Sequence, residues 1–366
     1  MTSDIVVIGA GIHGCATALR LAQAGARVIV LERSVPGAEA SSAAGGILSP
    51  GVEAQHGGPL LALAQESMRR WPGFAAELAE ATGIDLAYRA NGTLRIVFGE
   101  SEAAAWCADL PRLVGLGVAA EWLDGAELRA LEPALAVGAS GGFLFRDEAR
   151  LDPKPLLRAL AAAAAAAGVR FLTGQVRRIA VENGRVAGVD HVSGRLDAGA
   201  VLLAAGAWAG LVEGSGLPAG AVRPVRGQMV VLEAPADFVG RVVFSPKGYL
   251  VPRPDGRILC GSTMEEAGFE KTVTAAGMLS ILAMAVETAP ALAAAPYVES
   301  WANFRPATVD GLPILGAGSV PGLFYSTGHH RHGILLAPAS ADLVAASLLG
   351  RTPAIDLTPY SAARLG

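Results

Sequence analysis

Residues 327–338, TGHHRHGILLAP, place three histidines and one arginine between two glycines, directly before an apolar run. Such a cluster could bind a metal, form a charged surface loop, or line a cofactor pocket. Metal binding needs several ligands that converge at fixed spacing. His329 and His330 are adjacent and point in different directions on most backbones, and no Cys, His or Asp cluster elsewhere in the sequence supports them. The pattern therefore favours a cofactor pocket, with no metal, and singles out Arg331.

Four further side chains in the last third of the sequence could line a small site. Lys247 and Tyr249 lie in the strand-like KGYLVPR, and Met264 ends the next predicted strand at CGSTM. Arg305 precedes a proline in NFRPATVDGLPILG. An arginine can bind a carboxylate through two parallel hydrogen bonds, and a tyrosine hydroxyl can donate a further, neutral hydrogen bond to the same carboxylate. No residue stands out as a general base, so these side chains are suited to orienting an acid.

The composition is that of an acidic globular protein. The chain has 366 residues, is 52% hydrophobic and 17% charged, and has a net charge of −4. It therefore offers no basic face for nucleic acid. Three widely spaced cysteines without CxxC spacing indicate neither a disulfide framework nor zinc. With no secretion signal and no transmembrane stretch, we expect a cytoplasmic protein of two domains.

The amino-terminal segment predicts a dinucleotide site. In residues 4–33, DIVVIGAGIHGCATALRLAQAGARVIVLER, a β-branched strand precedes Gly9, Gly11 and Gly14 in GxGxxG spacing. A helix and a second strand that ends at Glu32 follow. Gly9 permits the tight turn, Gly11 lets the backbone approach a pyrophosphate, and Gly14 lets the helix pack on the sheet. Glu32 can accept from a ribose 2′-hydroxyl but repels a 2′-phosphate, which leaves NAD or FAD.

The loop after the second strand favours FAD. Residues 41–50, SSAAGGILSP, have two hydroxyls and adjacent glycines, which suit a backbone cradle for a flavin but also a flexible loop. Together with the preceding GARVIVLERSVPGAEA, this loop resembles the D-amino-acid oxidase family of flavoproteins. The resemblance covers essentially the whole chain and is densest at RPATVDGLPILG and TGHHRHGILLAP. Within the family, the sequence is most similar to the glycine oxidases of thiamine biosynthesis.

The predicted fold class is α/β, with a Rossmann-like FAD-binding domain and a second, mostly antiparallel β-sheet substrate domain of the D-amino-acid oxidase and glycine oxidase type. Strand and helix patterns alternate without a linker-like run, so we expect the domains to be discontinuous. The predicted FAD-binding domain comprises residues 1–84, 142–221 and 303–366, and the substrate domain comprises residues 85–141 and 222–302.

The resemblance also implies roles for individual residues. It places Arg305 and Arg331 on the substrate carboxylate, with Tyr249 and Met264 lining the same pocket. Lys247 stands where the glycine oxidases have a histidine, and it could bind a second carboxylate, disfavour a cationic amine, or be a solvated rim residue. The residues expected to contact the cofactor are Gly9, Gly11, Ile12, His13, Gly14, Glu32, Arg33, Ser41, Ser42, Gly45, Gly46, Ile47, Val176, Ala205, Gly206, Trp208, Gly328, His329, His330, Arg331, His332, Gly333, Ile334 and Leu335.

The implied activity is FAD-dependent oxidation of a small amino acid or amine, such as glycine, sarcosine or a small D-amino acid. A hydride would pass from the substrate to flavin N5, and O2 would be reduced to H2O2. Two alternatives stay open: a dehydrogenase of the same fold that passes electrons to a quinone, and a flavin-binding subunit of a larger complex. Because no cysteine follows Cys260, the FAD is expected to be non-covalent. A homo-oligomer is left open.

Overall fold

A computed structural model describes residues 3–52 and 57–366, which form two large β-sheets and eight α-helices. The helices are α1 (Ile12–Gln23), α2 (Ala40–Ala43), α3 (Pro59–Thr82), α4 (Glu100–Gly115), α5 (Gly125–Leu131), α6 (Pro153–Ala166), α7 (Ala275–Thr288) and α8 (Ala337–Leu348). The strands are β1 (Ser3–Ile8), β2 (Val28–Glu32), β3 (Ile47–Leu48), β4 (Thr93–Val97), β5 (Ala120–Asp124), β6 (Gly141–Phe145), β7 (Ala149–Arg150), β8 (Arg170–Thr173), β9 (Val176–Glu182), β10 (Arg185–His191), β11 (Gly194–Leu203), β12 (Arg223–Glu233), β13 (Val242–Ser245), β14 (Gly248–Pro252), β15 (Arg257–Gly261), β16 (Tyr297–Ala307), β17 (Ile314–Ala317) and β18 (Leu323–Thr327).

The first sheet contains the amino-terminal glycine motif. Its strand order is β17-β18-β11-β1-β2-β8, and β10 and β9 extend it from β11. Five adjacent strands, β18, β11, β1, β2 and β8, run parallel, as predicted for a Rossmann-like unit. Helices α1, α3, α6 and α8 share a hydrophobic core with this sheet. Because β1 is covered on both faces, its residues 5–8 form a continuous apolar run rather than an alternating one.

The second sheet has the order β16-β12-β15-β14-β13-β4-β6-β5. Its neighbouring strands are antiparallel except for β4 and β13. The predicted mostly antiparallel second sheet is therefore confirmed. Helix α7 packs on one face through residues such as Ile281 and Met284. A separate hydrophobic core contains other bulky residues of this sheet, including Phe143 and Phe244.

The sheets divide the chain at slightly different points from the predicted domain boundaries. Strand β6 pairs with β4 and β5, and β16 continues through residues 303–307 against β12. Residues 142–145 and 303–307 thus belong to the second sheet, although the predicted boundaries put them in the FAD-binding domain. The end of a strand depends on how far its hydrogen-bonding partner extends. The local sequence does not identify that partner. None of the helices in the described parts of the chain is long and apolar enough to cross a bilayer.

A buried carboxyl group lies where the first sheet's loops meet the second sheet. Glu148 Oε1 accepts hydrogen bonds from the amides of Gly51, at 2.6 Å, and Val52, at 3.1 Å. Burial raises the pKa of the Glu148 carboxyl from 4.5 to about 8, although hydrogen bonds from these amides and from the hydroxyls of Ser49 and Thr93 oppose the shift. Glu148 is therefore protonated in the folded protein at neutral pH.

We expect the contribution of Glu148 to the free energy of unfolding to fall as the pH rises from about 4.5 to about 8, because the unfolded chain releases the Glu148 proton over a range in which the folded chain retains it. Each unit of pH within this window contributes at most about 1.4 kcal/mol. Glu148→Gln keeps an oxygen for the two amides and removes the titration. Denaturant unfolding at pH 5 and pH 9 should show that the variant gains stability relative to the parent at the higher pH. Parallel pH profiles would exclude this account of Glu148.

Candidate active site

A cavity of about 550 Å³ lies between the two sheets and is lined by residues from both. Of the residues predicted to bind cofactor or substrate, all but Gly14, Ser42 and Gly328 line this cavity. Its wall is formed by the turn between β1 and α1, the end of β2, most of residues 39–49, residues 174–176, most of residues 204–212, Arg95 on β4, parts of β12 to β16 and most of residues 326–335. The fold thus brings together side chains that are more than 300 residues apart in sequence.

The three exceptions do not line the cavity but neighbour residues that do. A Cβ atom at Gly14 would collide with the carbonyl oxygen of Gly9, so this glycine lets α1 lie close to the end of β1. The Ser42 hydroxyl donates to the Glu39 carbonyl at 3.3 Å. Gly328 has a φ of +76°, and its Cβ would lie 2.6 Å from the Thr308 side chain.

The turn between β1 and α1 offers backbone rather than side chains to the cavity. Gly9 has a φ of +100°, and a Cβ there would lie 2.7 Å from the Ala204 carbonyl oxygen. A Cβ at Gly11 would lie 3.2 Å from Ser41 Oγ. The Glu32 carboxylate accepts from the amides of Ala10, at 2.8 Å, and Ser34, at 3.0 Å, which fixes it beside the turn. A pyrophosphate at this helix start and a ribose at this carboxylate fit these residues.

Trp208 lines the same cavity and is enclosed by cations and aromatic rings. The Arg33 guanidinium lies 3.9 Å from the centre of the indole ring, and Lys271 Nζ lies 5.8 Å from it. Phe269 packs on the indole at a centroid distance of 5.3 Å. Arg33 and Lys271 both pair with Glu39. Phe269 and Lys271 were not predicted, since nothing near them in sequence links them to residues 33–39.

His329 of the opening motif and His13 at the start of α1 are neutral and closely packed. The rings of His13 and His329 stack with their centroids 3.3 Å apart, and both residues are buried. Burial lowers the pKa of His13 to about 3, against a hydrogen bond to the Gly333 backbone. Burial, followed by repulsion from His13 and His332, lowers the pKa of His329 well below its usual value. No group of three or more metal-binding side chains is found in residues 3–52 and 57–366.

The two arginines singled out from the sequence approach one short segment. Arg305 Nη1 donates to the Thr263 carbonyl at 3.1 Å, and Nη2 donates to Ser262 Oγ at 2.5 Å. Arg331 Nη1 lies 3.9 Å from the sulfur of Met264. The structure thus brings both guanidinium groups to the consecutive residues 262–264, on the wall of one cavity. A carboxylate could be held between such groups by several charged hydrogen bonds.

Met264 and Tyr249 also line the cavity. The prediction that Met264 ends a strand is wrong, because β15 loses its pairing partners after Gly261. Met264 lies in the following loop with 57% of its surface exposed. The Tyr249 hydroxyl contacts only the sulfur of Met229, at 3.5 Å, among the hydrogen bonds of the described residues. It can therefore turn to donate to a ligand.

Lys247 is a rim residue in this structure. Its side chain is 66% exposed, and Nζ donates to both carboxylate oxygens of Glu287, at 3.0 and 2.7 Å. An exposed pair of this kind contributes little to stability, and its lysine is already neutralised. We expect Lys247→Met to change the KM of a small substrate by less than about twofold, measured by steady-state kinetics. A change of tenfold or more would place the ammonium group on the substrate instead.

Arg95 is a cavity residue that the sequence reasoning missed. Tyr249, Phe244 and Arg95 are register neighbours on β14, β13 and β4, so they form one row on the cavity side of the sheet. The Arg95 guanidinium lies over the ring of Trp106 at 4.3 Å. Its strand β4, TLRIV, is apolar except for Thr93 and this arginine. A charged residue within a buried strand was the signal that could have identified it.

The comparisons with known proteins agree with this architecture. The family model described as DAO, FAD dependent oxidoreductase, matches residues 4–347. The glycine oxidase of Pseudomonas aeruginosa is 37% identical over 368 residues, with 99% of each chain covered. The glycine oxidase of Geobacillus kaustophilus is 35% identical over 366 residues, covering 99% of this chain and 97% of that protein. Its crystal structure superimposes with a TM-score of 0.94 and 34% identity, covering 99% of this chain and 98% of that chain.

These matches extend over both sheets and over the cavity between them. The proteins of this family are flavoproteins that use FAD, and the glycine turn, Glu32 and residues 329–335 all line the cavity of this chain. The chain therefore belongs to the FAD-dependent oxidoreductases of the D-amino-acid oxidase family.

Proposed function

We propose that this enzyme oxidises glycine, sarcosine or a small D-amino acid and passes the electrons to O2, which forms H2O2. The observation that carries the proposal is the approach of Arg305 and Arg331 to residues 262–264 on the wall of the cavity that contains the dinucleotide motif. Similarity to glycine oxidases over the full chain supports a small amino acid as substrate.

The residues of the chain have mainly to bind and orient the substrate. When bound, FAD supplies the redox chemistry by accepting a hydride from the substrate carbon that bears the amine. Arg305 and Arg331 hold the carboxylate, and the Tyr249 hydroxyl donates a further hydrogen bond to it. Fixing one end of a small substrate in this way sets the position of its reacting carbon. No acid or base is needed at that carbon if the amine binds unprotonated.

The proposal depends on which compound reduces the bound flavin. Purified enzyme should be mixed anaerobically with glycine, sarcosine, D-alanine, L-alanine and a small amine without a carboxylate, and the absorbance at 450 nm followed. We expect bleaching by at least one of the first three and none by the amine. On admission of air, peroxide should form in proportion to the substrate consumed. Flavin that none of these amino acids reduces would overturn the proposal, and reduction of a dye without peroxide would indicate a dehydrogenase.

A further inference from the structure

We propose that Glu265 is a positioning residue for substrate binding, because it fixes the segment that holds the Arg305 guanidinium in place. This inference rests on the proposed role of Arg305 in binding the substrate carboxylate. It concerns a carboxylate that does not line the cavity itself and that lies one residue beyond Met264 in the loop after β15.

The Arg305 side chain is held on three sides. Thr263 and Ser262 accept hydrogen bonds from its two terminal nitrogens, at 3.1 and 2.5 Å. Its third side is the backbone of Gly227 on β12, the neighbouring strand. A Cβ at Gly227 would lie 2.6 Å from Arg305 Cζ and closer still to its terminal nitrogens. The guanidinium therefore packs against the Gly227 backbone and is hydrogen-bonded to the loop residues Ser262 and Thr263.

Glu265 connects the loop that contacts Arg305 to strand β12 of the second sheet. Glu265 Oε1 accepts from Thr263 Oγ1 at 2.5 Å and from Gln228 Nε2 at 2.7 Å, and Oε2 accepts from Arg226 Nε at 3.1 Å. Arg226 Nη2 forms a second ion-paired hydrogen bond with the same Oε2 atom. The backbones of Arg226 and Glu265 also pair with each other, at 2.9 Å in both directions. One carboxylate thus joins β12 to the loop that contacts Arg305.

The β12 residues that hydrogen-bond Glu265 are themselves buried and held by further hydrogen bonds. Arg226 is only 7% exposed and Gln228 is fully buried. The Gln228 side chain also bonds Thr274, where α7 begins, so the loop is anchored at both ends. Burial would raise the pKa of Glu265, but the hydrogen bonds from Thr263, Arg226 and Gln228 outweigh it and the pKa is lowered. The carboxylate is therefore ionised and keeps these contacts at neutral pH.

The first test compares Glu265→Gln with Glu266→Gln, its neighbour in sequence. Glu266 pairs with Arg223 on the exposed surface at 3.0 Å and serves as the matched control. We expect Glu265→Gln to raise both the KM of the reducing amino acid and the dissociation constant of acetate about tenfold. The kcat should change less than about twofold, and the FAD content should be unchanged. The acetate constant is read from the perturbed flavin absorbance and needs no turnover.

The second test asks whether Glu265 acts through Arg305. In an Arg305→Lys background, Glu265→Gln should add less than about a twofold further effect, since lysine cannot make the paired contacts to Ser262 and Thr263. Gly227→Ala should raise the same two constants about tenfold by itself, because the displaced group is the flexible end of a side chain and the fold is retained.

Three outcomes would overturn the inference: equal acetate affinity in Glu265→Gln and Glu266→Gln, a full-sized effect in the Arg305→Lys background, or unchanged constants in Gly227→Ala. An effect on FAD content alone would also overturn it, because that would show a purely structural role. If the parent enzyme binds no acetate and no amino acid reduces its flavin, the proposed function fails first. That result is distinguishable from failure of the Glu265 inference, which requires a parent that binds and reacts.

Discussion

Replacing Arg305 with alanine should raise the KM for the amino-acid substrate by about one to two orders of magnitude while the enzyme keeps its FAD. The loss of a paired, charged hydrogen bond in a partly desolvated cavity corresponds to about 1.5–3 kcal/mol. Arg305 lies on β16 within the second sheet, and its hydrogen bonds go to the loop after β15, not to the glycine turn. Steady-state kinetics and the ratio of absorbance at 450 nm to that at 280 nm would measure the two effects separately.

Arg223 is the matched control for this variant. It lies on the neighbouring strand β12, forms a surface ion pair with Glu266 at 3.0 Å, and does not line the cavity. Arg223→Ala should leave the KM within about twofold of the parent. An Arg305→Ala enzyme with an unchanged KM would remove this residue from the substrate site. Loss of FAD from the same variant would instead place Arg305 in cofactor binding.

Replacing Gly14 with alanine should reduce bound FAD to less than about a tenth of the parent level. The new Cβ would collide with the Gly9 carbonyl oxygen, which belongs to the backbone and cannot rotate away. Overpacking of this kind costs about 1–3 kcal/mol and is relieved by moving α1 away from β1. The amides at the start of α1 would then no longer converge on a pyrophosphate. FAD content after purification and the affinity of the stripped protein for added FAD would test this.

Gly73 is the control for the glycine substitution. It lies within α3, is exposed, and a Cβ there would meet no atom within 4 Å. Gly73→Ala should keep full FAD content and stabilise the helix by about 0.5–1 kcal/mol, because alanine loses less backbone entropy. A Gly14→Ala protein that binds FAD as tightly as Gly73→Ala would show that the close packing of α1 on β1 is dispensable for the cofactor.

The nucleotide-binding half of the site was predictable because the residues that define it lie close together in the sequence. A strand, three glycines at fixed spacing, a helix and a terminal acid occupy residues 4–33, and the structure forms these elements in that order. The short spacing fixes the turn geometry, and the acid ends its strand beside that turn. The arginines were identified through resemblance, and the structure places Arg305 and Arg331 on one cavity wall.

The supports of the substrate half depend on strand pairing, which local patterns do not show. Gly227 contacts Arg305 only because β12 pairs with β16, with Gly227 opposite Asn303 and Val225 opposite Arg305. Likewise, Arg95 lies in one row with Phe244 and Tyr249 only because β4 joins β13 in parallel. Whether these residues come into contact depends on the pairing register between strands that are far apart in the chain. The loop position of Met264 was missed for the same reason.

The three cysteines also differ in how they can react. Cys15 and Cys260 are buried, and burial raises the pKa of each thiol to about 12, whereas Cys107 on α4 is exposed. Since the thiolate is the form that oxidants and alkylating reagents attack, the two buried cysteines are nearly inert in neutral solution. Cys107 does not line the cavity. It therefore offers a single natural attachment point for a maleimide dye or spin label, through which motion of α4 can be followed during turnover without any engineered cysteine.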